Sequence, residues 1–171
     1  MPRYNFALPL PPRENNAIVN YCKLYFKDIA EGHLALGVPP HSIPHITVAQ
    51  FECTEDFLHG KASNPLAHAP IHINSKALYI HGGGDRHAGY EWHGLEIEKT
   101  PEILQLHNFF IETTGLTPLT GHGDNYFPHI TLARTRENTC LDLPAITLEP
   151  FSAQAALFHC DTNGQCLARI T

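Results

Sequence analysis

Basic residues are scarce in this sequence. Of the 171 residues, 11 are Lys or Arg and 17 are Asp or Glu, so the formal net charge is -6 when the histidines are neutral. Proteins that bind a long nucleic acid neutralise many of its phosphates with Lys and Arg. The composition therefore argues against a binder of long nucleic acid. A nucleic-acid ligand would be a short piece or a terminus, held by local donors.

Long apolar runs are also missing. No stretch approaches the ~20 apolar residues that a membrane-spanning helix needs. The first ten residues, Met1 to Leu10, lack the apolar run that is typical of a signal peptide. We therefore expect a cytoplasmic protein that does not enter a membrane.

The cysteines and glycines do not form the familiar metal or phosphate motifs. The cysteine number is odd and no Cys-x-x-Cys pair occurs, which favours reduced thiols over a disulfide framework. A disulfide between Cys160 and Cys166, which flank a predicted hairpin turn, is the alternative. The glycines Gly82–Gly84 lack the Gly-Lys-Ser/Thr order of a phosphate loop, and the histidines around them match no standard zinc spacing. We predict no metal and no cofactor.

A short segment occurs twice in the chain. Motif 1, Pro44–Ala49, has the sequence Pro-His-Ile-Thr-Val-Ala, and motif 2, Pro128–Ala133, has Pro-His-Ile-Thr-Leu-Ala. Their histidines lie 84 residues apart, close to half of the chain. The repeat predicts one bilobal domain over residues 1–171, with similar halves at about 1–80 and 81–171.

A helix is predicted before each motif. Apolar residues at helical spacing indicate the first helix over Arg13–Glu31, with Gly32 as its end. Thr100 and Pro101 are typical of an N-cap and a first helical residue, and Gly115 is typical of a helix end. Each half therefore has the order helix, loop, His-Ile-Thr strand.

Most other segments are predicted to be strands. Alternating apolar residues between turn signals indicate Tyr4–Leu8, Ile71–Ile80, Tyr90–Ile97, Ala155–Cys160 and Cys166–Ile170. Asn163-Gly164 is a strong hairpin signal. We predict an α+β fold in which two pseudo-symmetric lobes of antiparallel sheet plus helices share a central cleft.

The residue types in the two motifs suit chemistry at phosphorus. Side chains alternate along a strand, so His45 and Thr47 share one face, as do His129 and Thr131. A neutral imidazole can take a proton from an attacking oxygen, and an imidazolium can give one to a leaving oxygen. Hydroxyl groups can donate hydrogen bonds to the phosphate oxygens. One His-x-Thr triplet alone is common in structural strands, but two copies in the same context favour a catalytic site.

At these motifs the chain resembles the 2H phosphoesterase superfamily, which has two His-x-Ser/Thr motifs in two pseudo-symmetric lobes. Phe127–Arg134 is similar to the second motif of the RNA 2',3'-cyclic phosphodiesterases, also called 2'-5' RNA ligases. Tyr90–Leu95 is similar to the strand that opens their second lobe. Two departures are Gln50-Phe51-Glu52, where the group has an aliphatic-Phe-Leu-Gly run, and a missing basic residue before motif 2, where Gly121–Asn125 stands.

The resemblance implies metal-independent opening of a 2',3'-cyclic phosphate at the end of an RNA or nucleotide, which leaves a 2'-phosphate. The reverse reaction would be 2'-5' ligation. The expected roles are His129 as the general base toward water and His45 as the general acid, and the pseudo-symmetry also allows the reverse assignment. The expected partner is an RNA terminus or a small nucleotide, bound by a monomer.

Three other residues are candidates for substrate binding. Trp92 and Tyr126 are aromatic residues that can stack on a base, although each also fits a core position. Arg134 matches the family pattern but follows His129 by five residues, which places it on the opposite face of a regular strand. It contacts substrate only if the strand bends; otherwise it pairs with a carboxylate outside the cleft.

Two other functions fit the same sequence. The first is a non-catalytic nucleotide-binding module on the same fold. The second is a phosphodiesterase for a cyclic oligonucleotide or a small metabolite, which the acidic net charge favours over a long RNA.

Overall fold

The structure, a computed structural model, describes residues 1–30, 42–54, 57–58, 69–82 and 88–170. The predicted glycine-rich turn at 82–84 and the end predicted for the first helix at residues 31–32 fall largely outside these ranges. The described strands are β1 Arg3–Pro9, β2 His45–Glu52, β3 Ile71–Ile73, β4 Ser75–Gly82, β5 Tyr90–Ile97, β6 His129–Arg136, β7 Phe151–Ala153, β8 Ala156–Cys160 and β9 Cys166–Arg169. The helices are α1 Pro12–Tyr25 and α2 Pro101–Thr114, with a 3-10 turn at Gly123–Asn125.

Seven of these strands form one antiparallel sheet in the order β4-β5-β6-β2-β1-β8-β9, and β3 pairs with β7 separately. The two motif strands, β2 and β6, are neighbours at the centre and pair through Ile46 and Ile130. Each has its own partner outside, β1 beside β2 and β5 beside β6. The predicted α+β class with antiparallel sheets is confirmed.

The sheet mixes strands from the two sequence halves. The C-terminal strands β8 and β9 lie on the side of β1 and β2, which belong to the first half. Strand β4, which lies mostly in the first half, pairs with β5 of the second half. The helices also cross over, because α1 contacts β6 and α2 packs against β2. The division of the chain at about residue 80 therefore stays a prediction about the sequence repeat, because each side of the sheet contains strands from both sequence halves.

The second helix has the predicted bounds. Thr100 is its N-cap and accepts a hydrogen bond from the Ile103 amide, Pro101 is the first helical residue, and Gly115 ends it with φ 67°. This positive φ is the left-handed conformation that glycine adopts without a Cβ penalty. The capping residues lie next to the helix in sequence and determine both of its ends, so the sequence pattern was sufficient to predict its bounds.

The first helix is shorter than predicted. It ends at Tyr25, with Phe26 as its C-cap, and the chain turns over the carbonyl of Phe26 through the amides of Ile29 and Ala30. Phe26 is fully buried and its ring lies 5.3 Å from that of His93. Ile18, Cys22 and Phe26 are fully buried, whereas Tyr25 is exposed.

Aromatic side chains fill the core between the sheet and the helices. Phe6 on β1 stacks on Phe110 of α2 at 4.1 Å and meets Phe51 of β2 edge-on at 6.3 Å. Cys160 and Cys166 are buried thiols with their sulfurs 3.7 Å apart, so the structure contains no disulfide between them. Within the described ranges, no helix is long and apolar enough to cross a membrane.

Candidate active site

Both motif strands contain the same irregularity. Along β1 and β2, Ala7 pairs with Thr47 but Phe6 pairs with Ala49, so Val48 is an extra residue. Along β5 and β6, Gly94 pairs with Thr131 but His93 pairs with Ala133, so Leu132 is an extra residue. Each motif therefore has a β-bulge directly after its threonine, and the pseudo-symmetry extends to the backbone register.

The bulges change which later residues face the cleft. An inserted residue shifts the alternation of side chains by one position beyond it. Gln50 therefore shares a face with His45 and Thr47, and Arg134 shares one with His129 and Thr131. Consistent with this, Gln50 lines the cleft, and Arg134 pairs across the sheet with Trp92, which also lines it. Of the two alternatives for Arg134, the bulge favours the irregular strand, in which Arg134 lies on the histidine face, over a regular strand that would place it on the opposite face.

The two catalytic candidates of the repeat, His45 and His129, are oriented in the same way. The Nδ1–H of His45 donates to the carbonyl of Ile43 at 2.7 Å, and the Nδ1–H of His129 donates to the carbonyl of Phe127 at 2.8 Å. A carbonyl only accepts, so Nδ1 carries a proton in both rings. Proton exchange with a ligand is thereby left to Nε2 of each ring.

Burial makes both imidazoles weaker bases than a free histidine. Burial lowers the pKa of His45 to about 4; the hydrogen bond to Ile43 opposes this shift and the charge of His129 adds to it. Burial also lowers the pKa of His129, opposed by the Phe127 carbonyl and reinforced by His81. Both rings are therefore mainly neutral at pH 7, and a bound anion would raise the pKa of each.

The threonine of motif 1 is held by a buried amide. Asn5 is fully buried on β1 and its Nδ2 donates to Oγ1 of Thr47 at 2.8 Å. Since the hydroxyl oxygen accepts this bond, its proton is directed elsewhere. Thr47 and Thr131 both line the cleft, so each can donate to a ligand oxygen there.

Side chains from the helices hold both bulges. Nδ1 of His107 on α2 donates to the carbonyl of Val48 at 2.6 Å, and the thiol of Cys22 on α1 contacts the carbonyl of Leu132 at 3.5 Å. A bulge leaves its extra residue outside the ladder, so its carbonyl needs a partner of this kind. The bulge in the first motif is thus held by a helix from the second half of the chain, and the bulge in the second motif is held by a helix from the first half.

Tyr126 supports motif 1 next to that bulge. Its hydroxyl donates to the carbonyl of Thr47 at 2.9 Å, and its ring stacks on His107 at 3.9 Å. Tyr126 lines the cleft, as expected, but only 3% of it is exposed and one ring face is covered. These contacts indicate that it positions Thr47, and they leave little of the ring for stacking on a base.

A second tyrosine lies over the other motif. The ring of Tyr79, in β4, lies against Gly94 of β5, where a Cβ would come within 2.3 Å of the tyrosine ring. Glycine is thus required for this close approach. The Tyr79 ring meets His129 edge-on at 5.4 Å and Phe127 at 5.1 Å. Burial raises the pKa of Tyr79, so its phenol remains a neutral hydrogen-bond donor.

A cleft of about 730 Å³ brings these side chains together. It contains six of the seven residues singled out in the sequence, namely His45, Thr47, Trp92, Tyr126, His129 and Thr131. The seventh, Arg134, stacks its guanidinium over Tyr90 at 4.6 Å and over Trp92 at 5.6 Å. Among the described residues that line the cleft, none is Lys, Arg, Asp or Glu.

Several lining residues were not predicted. They include Gln50, Thr120, Asn163 and Gln165. Gln50 lies 84 residues before Arg134, the same offset that relates the two histidines. Applying the repeat to Arg134 would therefore have found Gln50, whereas Gln165 is brought in only by the pairing of β8 with β1.

Comparison by sequence finds no matching protein family model and no matching curated protein. Solved structures do match over nearly the whole chain. LigT of E. coli in its apo form has a TM-score of 0.67 at 16% identity, covering 99% of this chain and 95% of that chain.

Two further structures agree. A phosphoesterase has a TM-score of 0.64 at 17% identity, covering 98% of this chain and 96% of that one. TT0787 of Thermus thermophilus has a TM-score of 0.63 at 18% identity, covering 99% and 95%. The chain therefore has the LigT-like fold that the sequence resemblance implied.

Proposed function

We propose that this chain is a phosphodiesterase of the 2H phosphoesterase type, which opens a 2',3'-cyclic phosphate at the end of an RNA or nucleotide without a metal. The matched orientation of the two histidines supports this proposal most directly. Both Nδ1 atoms are engaged by a carbonyl two residues earlier, and both rings line one cleft. Each ring thus offers Nε2 to a phosphate placed between the motifs.

The reaction requires one ring of each protonation state. Neutral His129 takes a proton from water through Nε2 while the water oxygen attacks phosphorus. The bond from phosphorus to the 3' oxygen breaks, and protonated His45 gives its Nε2 proton to that oxygen. The product is a 2'-phosphate, and the two rings have exchanged protonation states. In reverse, a 5' hydroxyl in place of water would give a 2'-5' bond.

The threonines and the bulges support the same step. Thr47 and Thr131 lie two residues after the histidine of the same strand and before its bulge, so each hydroxyl shares a face with that histidine. Donation from these hydroxyls to the non-bridging oxygens would stabilise the charge that develops in the transition state. We further propose that Trp92 and Arg134 contact the nucleotide at the β5–β6 side of the cleft.

The structural neighbours are consistent with a nucleotide ligand. LigT of E. coli has been crystallised with 3'-AMP, ATP, NADP+ and phosphate. In this chain, the described cleft lining is neutral apart from its three histidines. Such a lining favours a ligand with a single phosphodiester charge over a long polyanion.

A turnover assay tests the proposed activity. Purified protein is incubated with nucleoside 2',3'-cyclic phosphates and with an RNA that ends in one, in the presence of EDTA. We expect a 2'-phosphate product at an unchanged rate. If neither substrate is opened, the chain is a binding module or acts on another phosphodiester; if EDTA stops turnover, the metal-free mechanism is wrong.

The two histidine roles need a separate test. A substrate whose 3' bridging oxygen is replaced by sulfur has a leaving group that needs no proton. His45→Ala should therefore recover most of its activity on this substrate, and His129→Ala should not. The opposite pattern would exchange the two roles.

A further inference from the structure

Two buried glutamines face the cleft on its β2 side. Gln50 is 8% exposed and Gln165 is 5% exposed, yet both line the cleft. Buried amides are normally fully hydrogen-bonded, because an unmet donor or acceptor costs free energy. Each of these two amides has one end engaged by the protein, which leaves the other end for a ligand.

The neighbouring hairpin turn determines the orientation of Gln50. Its Nε2 donates to the carbonyl of Gly164 at 3.3 Å, so its Oε1 is the acceptor that remains. A Cβ at Gly164 would lie 2.6 Å from that Nε2, and Gly164 has φ 85°. Glycine at this position therefore allows the close seating of Gln50 against the turn.

Gln165 has the complementary orientation. Its Oε1 accepts a hydrogen bond from the hydroxyl of Ser42 at 2.7 Å, so its Nε2 is the donor that remains. The Asp161 carboxylate stabilises the turn by accepting hydrogen bonds from the backbone N–H groups of Asn163 and Gln165, at 2.8 Å and 2.9 Å. Gln50 therefore offers one acceptor and Gln165 one donor where the hairpin turn meets the cleft.

We propose that the Gln50–Gln165 pair binds the edge of the nucleobase whose ribose carries the reacting phosphate. This inference rests on the proposed function. Gln50 follows Thr47 by three residues, one of them in the bulge, which places it roughly 7–10 Å further along the strand. That span matches the reach from a ribose phosphate to the edge of its base.

The chemistry of the pair favours a base over other parts of the substrate. A phosphate needs donors, whereas the free Oε1 of Gln50 is an acceptor that repels anionic oxygens. In a 2',3'-cyclic nucleotide both secondary hydroxyls are esterified, so the base carries the remaining edge with donors and acceptors side by side. Glutamine amides are well suited to such edges.

The pseudo-symmetry also distinguishes this end from the other. Position 50 in β2 corresponds to Arg134 in β6, and its cross-strand partner Asn5 corresponds to Trp92. One end of the cleft is thus an amide site, and the other presents Trp92, whose ring carries the Arg134 guanidinium. The amide end suits hydrogen bonding to one base, and the aromatic end suits stacking of a neighbouring group.

Binding without turnover provides the test. The probes are adenosine 3'-monophosphate and its abasic counterpart, ribose 3-phosphate, titrated by calorimetry into the full chain. The variants are Gln50→Met and Gln165→Met, which keep side-chain length, with Gln105→Met on the exposed face of α2 as the control. Thermal unfolding of each variant reports whether the fold is retained.

We expect the native chain to bind the nucleotide more tightly than the abasic probe. Gln50→Met and Gln165→Met should each weaken nucleotide binding about 3- to 10-fold, the scale of one hydrogen bond, and leave the abasic probe within about twofold. Equal weakening of both probes, no weakening, or no native preference for the nucleotide would overturn the proposal. Loss of the preference in Trp92→Ala alone would place the base at the aromatic end instead.

The two proposals fail separately. If the chain opens no cyclic phosphate but shows the expected binding pattern, the proposed function fails and the base site stands. If cyclic phosphates are opened and the glutamine variants bind both probes as the native chain does, only the base site is wrong.

Discussion

Nδ1 of His107 donates a 2.6 Å hydrogen bond to the carbonyl of Val48, the residue that the bulge inserts after the first His-x-Thr motif. The helix that carries His107 precedes the second motif in sequence. The thiol of Cys22 makes the corresponding contact with Leu132 in the other direction. The orientation of each motif therefore depends on docking of the helix from the opposite half.

Loss of the His107 donor should weaken both stability and activity. In His107→Leu the buried Val48 carbonyl has no partner, which costs about 1–3 kcal/mol. The bulge beside Thr47 then loses its support, so kcat should fall more than KM changes. His107→Asn places an amide N–H near the position of Nδ1 and should restore much of kcat. Chemical unfolding and steady-state kinetics measure the two effects; a leucine variant with native kcat would show that the contact is structural only.

Under the proposed function, both His45 and His129 should be needed for turnover. His45→Ala and His129→Ala should each lower kcat by ~10²–10⁴-fold, the usual contribution of a positioned acid or base. His72→Ala, an exposed histidine of β3, is the matched control and should keep native activity. Native rates in either cleft variant would remove that residue from the mechanism.

The pH profile of kcat/KM should be bell-shaped and displaced toward acid. Activity needs one protonated and one neutral ring, and burial lowers the pKa of both His45 and His129 from the ordinary value near 6.5. Above both pKa values the singly protonated state falls tenfold per pH unit, so the optimum should lie below pH 6.5. At a pH below both pKa values the two rings are protonated, so His129 can no longer act as the base and the rate falls again.

The bound substrate should shift the profile of kcat in the opposite direction. Its anionic phosphate stabilises the imidazolium form, so the kcat optimum should lie at a higher pH than that of kcat/KM. Rates measured from pH 4 to 9 provide both curves. A flat kcat/KM across this range would argue against two titrating histidines.

Replacement of Gly94 by alanine should disturb the second motif. The new methyl group would meet the Tyr79 ring at 2.3 Å, and this ring contacts His129. We expect a loss of about 1–3 kcal/mol in the free energy of unfolding, typical of overpacking, and a lower kcat. Gly82→Ala on the same hairpin is the control. A Cβ at Gly82 would meet nothing within 4 Å, so the free energy of unfolding and kcat should stay at their native values.

A double variant separates the clash from other causes. Tyr79→Ala removes the ring that the methyl group meets, so Gly94→Ala should cost much less free energy in that background. Equal costs in both backgrounds, measured by denaturant unfolding, would show that Tyr79 is not the source of the strain.

Local signals predicted a large part of the fold. Strand β5 and helix α2 have the predicted bounds, because alternation, an N-cap, a first-turn proline and a left-handed glycine all act within a few residues. Helix α1 was predicted too long, since burial of Phe26 against His93 depends on a strand that lies far away in sequence. The order of the seven strands in the sheet could not be predicted from local patterns either, because strands that are distant in sequence are neighbours in it.

The sequence by itself determined the identities and spacing of the two His-x-Thr motifs, their repetition and their assignment to strands. Only the tertiary structure decided which other residues join them. A bulge is a mismatch in length between two paired strands, so it cannot be inferred from the period of either strand alone. The bulges at Val48 and Leu132 place Gln50 and Arg134 on the faces of His45 and His129, and the folding of a distant hairpin against β1 adds Gln165.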